Sequence, residues 1–314
     1  MKLTPHRRRQ LAAIAVACAL LLLVRCAAGP GPAAAPRRGY SIVACGELFD
    51  IDTRVVLWDE AGGYDAYREG KFFGDEPPDG KRRYGERASH PETLEQLREH
   101  VHAFVLHFDV AGCSRQCFKV LQDLRVLSVH FMLDVDGTIY QTLDLRERAW
   151  HATIANDFGV GVEIAHPGAY AQPMNALMRR WYEKDEQGYY QKFPAWLQET
   201  GIRTEGFVAR PARPDIIQGE IHDQIYYQLD YTAAQYEALA KLCAGLNRAL
   251  PRIRLEAPRD AGGTVLTRKL EADELREFDG VIGHYHVQDN KSDPGPAMQW
   301  DRVLDDARAI VGER

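Results

Sequence analysis

Short apolar runs at residues 103–107, 129–135, 138–143, 160–164 and 281–284 alternate with helical patterns, and this alternation constrains the fold more than anything else in the chain. The segment Val160-Gly161-Val162-Glu163-Ile164 is a β-branched run carrying a single acid. Asp136-Gly137, between two of the runs, is a strong hairpin signal. Residues 114–123 place Cys117, Phe118, Leu121 and Leu124 at helical spacing. Thr232 and Gln235 form a capping box ahead of Tyr236, Leu239, Ala240, Cys243, Leu246 and Leu250 on one helix face. An amphipathic helix is expected over residues 300–311. Strands interleaved with helices predict an α/β domain built around one sheet.

Two stretches depart from that pattern. Residues 39–100 are polar and turn-rich, with Pro77-Pro78-Asp79-Gly80 and only one strongly apolar piece, Val55-Val56-Leu57-Trp58. They read as an N-terminal extension packed on a core domain of residues 101–314. Residues 168–230 are irregular and rich in aromatics, among them Trp181, Tyr182, Tyr189, Trp196, Tyr226 and Tyr227. This segment reads as an insertion with a helix near residues 175–184, its rings serving local packing or a sugar-binding groove.

The 314 residues carry a formal net charge of −6, with a basic cluster at Arg7-Arg8-Arg9 near the amino end. That balance argues against a nucleic-acid partner, because neutralising phosphates needs clustered cations. The basic cluster precedes an apolar run from Leu11 to Val24 and then small residues, the layout of a secretory signal. The run is shorter than the ~20 residues of a spanning helix. Export to a periplasm or cell envelope is therefore expected, with residues 1–38 comprising the signal and an Ala/Pro-rich tether. Leu23-Val24-Arg25-Cys26 resembles a bacterial lipobox except at Arg25, which makes Cys26 a candidate lipid anchor. Cys113 and Cys117, four residues apart, are open to two readings in an exported protein: a local disulfide or two packed thiols. No feature demands an oligomer, and a monomer is expected.

The chemistry concentrates in a few residues. His107 stands at a strand end, and His284 and Asp293 bracket Lys291 near the carboxyl end of the chain. Imidazole nitrogens and a carboxylate oxygen suit Zn²⁺, and a catalytic zinc needs three protein ligands plus an open position. Amide hydrolysis also calls for a base and a cationic partner for the oxyanion, roles open to Glu163 and Lys291. His130, His151 and His286 compete as ligands. Glu163 in an apolar strand is costly to bury without a partner, which hints at a tuned acid. Lys291 reads equally as a solvated loop charge.

Taken in order, Val105-Leu106-His107-Phe108, Ser128-Val129-His130-Phe131, Asp136-Gly137-Thr138-Ile139-Tyr140, Ala149-Trp150-His151-Ala152, Asn156 with Gly161-Val162-Glu163, and Gly283-His284 with Lys291-Ser292-Asp293-Pro294-Gly295-Pro296 resemble the type 2 N-acetylmuramoyl-L-alanine amidases and peptidoglycan recognition proteins. The resemblance spans roughly residues 101–311. It implies a single domain with a central mixed sheet flanked by helices, and a Zn²⁺ ion held by His107, His284 and Asp293. It implies Glu163 as general base, Lys291 as oxyanion partner, and Trp150, His151 and Asn156 as substrate-binding residues. The implied reaction cuts the amide between N-acetylmuramic acid and L-alanine in peptidoglycan or muropeptides. The alternative is a non-catalytic peptidoglycan-binding protein of the same fold. The resemblance also favours a disulfide between Cys113 and Cys117. Gln288-Asp289-Asn290 stands where members often carry Pro-Gly-Arg, a departure that bears on substrate preference.

Overall fold

Parallel strands buried on both faces set the centre of the protein. The computed structural model describes residues 37–73 and 79–312, so the signal, Cys26, the tether up to residue 36 and the Pro77-Pro78 turn lie outside the described residues. The described residues belong to one compact unit. The chain begins with the hairpin β1 (Ser41–Ala44) and β2 (Glu47–Asp50), then β3 (Val55–Leu57), β4 (Tyr84–Gly85) and α1 (Leu94–His100). Next come β5 (Ala103–Phe108), α2 (Ser114–Lys119), β6 (Phe131–Leu133), β7 (Ile139–Gln141), β8 (Arg148–Ala149), α3 (Ala155–Phe158) and β9 (Gly159–Ile164). The insertion holds α4 (Ala176–Trp181) and two hairpins, β10 (Tyr182–Asp185) with β11 (Gly188–Gln191) and β12 (Ile217–Ile221) with β13 (Gln224–Gln228). The last elements are α5 (Ala233–Ala249), α6 (Ala272–Glu277), β14 (Gly280–Gly283), α7 (His284–Val287) and α8 (Trp300–Gly312).

Six strands form the central mixed sheet in the order β14-β5-β9-β6-β7-β3. All neighbours are parallel except β6 and β7, the hairpin turned by Asp136-Gly137. The fold is therefore the α/β arrangement around one sheet that the alternation predicts. The apolar piece of the N-terminal segment supplies the edge strand β3 of the central sheet, while β1 pairs with β2 and β4 with β8 outside it.

Side-chain alternation along the strands assigns the two faces. Phe104 and Leu106 of β5 and Val160, Val162 and Ile164 of β9 pack with Leu239, Cys243 and Leu246 of α5 and Val303 and Leu304 of α8. The α5 amino terminus is held by the expected capping box. There the Thr232 hydroxyl donates to Val135 O and the Gln235 amide to Ala165 O, tying the helix to two strand ends. Ala103 and Val105 point to the opposite face, where they meet Ile282, Leu270 and Leu275. His107 and Glu163 continue that second alternation, away from the α5/α8 layer.

Three local expectations are corrected. The helix over 114–123 widens after Lys119 into a π-helix, Val120–Arg125, closed by a left-handed Val126. Each π turn holds more residues than an α turn, so the apolar stripe rotates and Leu124 is 71% exposed. Cys113 and Cys117 are buried free thiols, not a disulfide. Cys117 packs with Phe118 and Ala111, and burial raises the pKa of both thiols. The insertion helix stops at Trp181, because Tyr182 onward pairs as a strand with Gly188–Gln191.

Candidate active site

Three parallel strands, β14, β5 and β9, end side by side, and strand ends of this kind are where α/β sheets present ligands. His107 is the penultimate residue of β5, and its direct register partner on β9 is Glu163. His284 follows β14 immediately and opens α7. The chain then loops through Lys291 back to Asp293, where the Tyr285 amide donates to Asp293 O at 3.1 Å. Gly283 makes this return possible: a Cβ there would lie 2.8 Å from Pro294 Cδ. Tyr231 OH and the Gln228 amide both donate to Pro294 O and anchor the loop. The Asp293–Pro294 peptide is cis.

His107 Nδ1, His284 Nδ1 and Asp293 Oδ2 thereby converge, with separations of 2.9 Å between the imidazole nitrogens and 3.0 and 2.9 Å from each to the carboxylate. All three residues are buried. Burial, followed by the adjacent His284, pushes His107 down to about 4 and keeps it a neutral imidazole. Burial works against the charge on Asp293, but its contacts with His107 and His284 prevail and hold it well below the usual carboxylate range. Gln288 Oε1 sits 2.9 Å from His284 Nε2 and accepts a hydrogen bond from its N–H, leaving the Nδ1 lone pair for the cluster. Lone pairs from two imidazole nitrogens and a carboxylate crowded this closely repel unless a proton or a cation lies among them. The donor set, two nitrogens and one oxygen, is that of a catalytic zinc site. The residues fit the metal that the sequence motifs imply.

The competing histidines are otherwise engaged. His286 Nδ1 accepts the Gly283 amide and its Nε2 donates to Leu266 O, while His130 Nδ1 accepts the Gly161 amide and its Nε2 donates to Glu147 O. His151 touches the cluster from behind, its Nδ1 2.9 Å from His107 Nε2.

A cavity of about 620 Å³ opens over the three converging residues. Glu163, Lys291, Trp150 and His151 line it as well. Burial raises the pKa of Glu163 well above the ordinary value; Asp293 and Asp109 add to the effect, and Lys291 and Arg125 oppose it. Asn156 does not line the cavity. Its buried Oδ1 accepts the amides of His151 and Ala152 at 2.9 and 2.6 Å, so it shapes the loop that presents Trp150 and His151.

The insertion supplies the far wall with Tyr170, Leu177, Arg180, Trp181 and Trp196. Trp181 packs in a local cluster, whereas Trp196 meets it edge-on at 6.1 Å and stays 60% exposed at the cavity mouth. The insertion's aromatics thus divide between local packing, at Trp181, and an exposed ring lining the cavity, at Trp196. Asp109 and Arg125 line the cavity too and were missed in the sequence. Asp109 lies two residues past His107 at the same strand end, which is a usable signal. Arg125 has none, since the π-helix alone swings it there.

A family model described as N-acetylmuramoyl-L-alanine amidase matches residues 97–296. Two solved structures are similar. A selenomethionine derivative of AmpD is 18% identical, with 74% of this chain and 91% of that one covered at a TM-score of 0.35. The N-acetylmuramyl-L-alanine amidase AmiD from E. coli, in complex with anhydro-N-acetylmuramic acid-L-Ala-D-gamma-Glu-L-Lys, is 15% identical, with 66% of this chain and 57% of that one covered at a TM-score of 0.37. No curated protein matches the chain.

Proposed function

As a member of the N-acetylmuramoyl-L-alanine amidase family, the chain is an amidase of peptidoglycan, and we propose that it works as a zinc hydrolase with His107, His284 and Asp293 as the metal ligands. The observation that carries this reading is the convergence of those three donor atoms in the wall of a cavity that Glu163 and Lys291 also line. The bond cut is the amide joining the lactyl group of N-acetylmuramic acid to L-alanine.

When bound, Zn²⁺ supplies a Lewis acid for the scissile carbonyl and an acidified water. Glu163 is the base: its raised pKa makes its ionised form a strong proton acceptor, placed beside His107 by strand register. It takes a proton from the attacking water and returns it to the departing nitrogen as the carbon–nitrogen bond breaks. The products are a free lactyl carboxylate and a peptide with a new amino terminus. Lys291, half-buried in the loop before Asp293, brings positive charge to the developing oxyanion. Trp150 and the insertion wall bind the rest of the substrate and keep water out. The basic, apolar and small-residue segments at the amino end support export to the cell envelope, with Cys26 as a lipid anchor.

The test is hydrolysis of a purified muropeptide by protein assayed for zinc, with and without chelator. Release of an L-alanine amino terminus that stops on chelation and returns with Zn²⁺ supports the reading. Zinc-loaded protein that binds muropeptide without cleaving it would move the assignment to a binding protein of the same fold. Radiolabelled palmitate incorporation that survives Cys26→Ala would remove the anchor.

A further inference from the structure

A ligand histidine works only in one tautomer, and His107 has a device behind it that sets which one. With Nδ1 at the metal cluster, the His107 proton must sit on Nε2, and a buried N–H needs an acceptor. Among the described residues, the one side-chain nitrogen or oxygen hydrogen-bonded to His107 Nε2 is His151 Nδ1, at 2.9 Å. Accepting there forces the His151 proton onto its own Nε2, and that atom is buried with no hydrogen-bond partner among the described residues. The opposite arrangement would have His151 donate and place the His107 proton on Nδ1, directed at His284 and Asp293, where no metal could then bind. An unpaired buried donor is unfavourable, and it falls on the residue whose tautomer the ligand depends on.

The surroundings are built to hold that ring in place. Asn156 Oδ1 accepts the His151 backbone amide, fixing the start of the side chain. The face of the imidazole lies on Gly161, where a Cβ would come within 2.5 Å of Cε1, 2.6 Å of Nδ1 and 2.9 Å of Nε2. A residue of any other type at 161 displaces the ring. His284 shows the same plan with a different acceptor, Gln288 Oε1 at 2.9 Å behind its Nε2.

We propose that His151 is a positioning residue, whose Nδ1 accepts the His107 Nε2 proton and so presets the Nδ1 lone pair for the metal, and that Gly161 is glycine to admit it. The proposal rests on the zinc reading above, but it is read through metal affinity and not turnover. Zinc affinity is measured on the full chain by competition with a chromophoric chelator, with circular dichroism as the check on folding. His151→Ala removes the acceptor, and His151→Gln moves it to where Nε2 lies; both are expected to bind zinc ~10–100-fold more weakly. His151→Asn keeps an acceptor near the Nδ1 position and is expected to restore affinity to within about threefold of the native chain. Gly161→Ala should resemble His151→Ala.

A merely structural ring would give no such split between Asn and Gln. Native affinity in folded His151→Ala, or an Asn variant as weak as the Ala variant, overturns the proposal. Should His151→Ala fail to fold, nitrogen NMR of the zinc-loaded native chain decides it: protons on Nε2 of both His107 and His151 are expected, and a proton on His151 Nδ1 overturns it. A chain whose zinc affinity depends on His151 but which cleaves no muropeptide leaves this inference standing and removes the catalytic reading. A chain that binds no zinc at all overturns both.

Discussion

Asp134, at the turn of the β6–β7 hairpin, should make the protein lose stability as pH rises through neutrality. The residue is fully buried; its Oδ1 accepts the Val135 amide at 2.8 Å, while Oδ2 is buried with no hydrogen-bond partner among the described residues. Burial, with Asp136 and Asp109 adding repulsion, pushes its carboxyl from 3.8 to about 8. Between those values the folded protein holds a proton that the unfolded chain has released. Stability therefore falls with rising pH across that window, by ~1.4 kcal/mol per pH unit for one proton, and levels off above it. From pH 5 to pH 7.5, about 2.5 units, the loss from this group is ~3 kcal/mol. Asp134→Asn keeps the Val135 contact and cannot ionise. Its melting temperature should drop less between those pH values than that of the native chain, by roughly 5–10 °C. Asp109, pushed up to about 7 chiefly by burial, acts in the same direction and remains in the variant, so part of the slope persists. The assay is thermal unfolding by circular dichroism at both pH values. Parallel slopes for the two proteins would refute the argument that Asp134 is buried as the acid.

Glu163→Gln should keep zinc and fold but lower kcat by ~10²–10⁴-fold, the usual worth of a general base; near-native turnover would remove the base assignment. Trp196→Ala, at the exposed mouth of the cavity, should shift stability by less than about 0.5 kcal/mol while raising KM for a muropeptide. An unchanged KM would take the insertion wall out of substrate binding. Asn156→Ala leaves the amides of His151 and Ala152 without their acceptor and should destabilise the chain by ~1–3 kcal/mol in denaturant titrations, and a null effect would show that the loop holds itself.

How much of this was legible beforehand depends on how local the cause is. The strands around Val105, Met132 and Val162 and the α5 helix follow from side-chain period and from the Thr232/Gln235 cap, which act within a few residues. His107, Glu163, Lys291, His284 and Asp293 could be picked out because strand ends and their neighbouring loops are where polar groups with a purpose stand against an apolar background. The departures have local causes. Leu124 and Arg125 were misjudged because a π-helix replaced an α-helical turn after Lys119, whereas Cys113 and Cys117, which lie before it, are the packed thiols of the second reading. That Asn156 turns its amide oxygen to the His151 and Ala152 backbone was not legible either, because a sequence records an amide side chain but not its direction.

By itself the chain determined its elements, its α/β class and the inventory of reactive side chains, since propensity, period and capping are near-neighbour effects. Only the tertiary structure decided that residues 107, 284 and 293 meet within 3.0 Å, that His151 stands behind His107, and that an insertion some sixty residues long closes one wall of the cavity. Those are consequences of which strands lie side by side and where long loops return, and no short-range pattern encodes a contact between residues 177 positions apart.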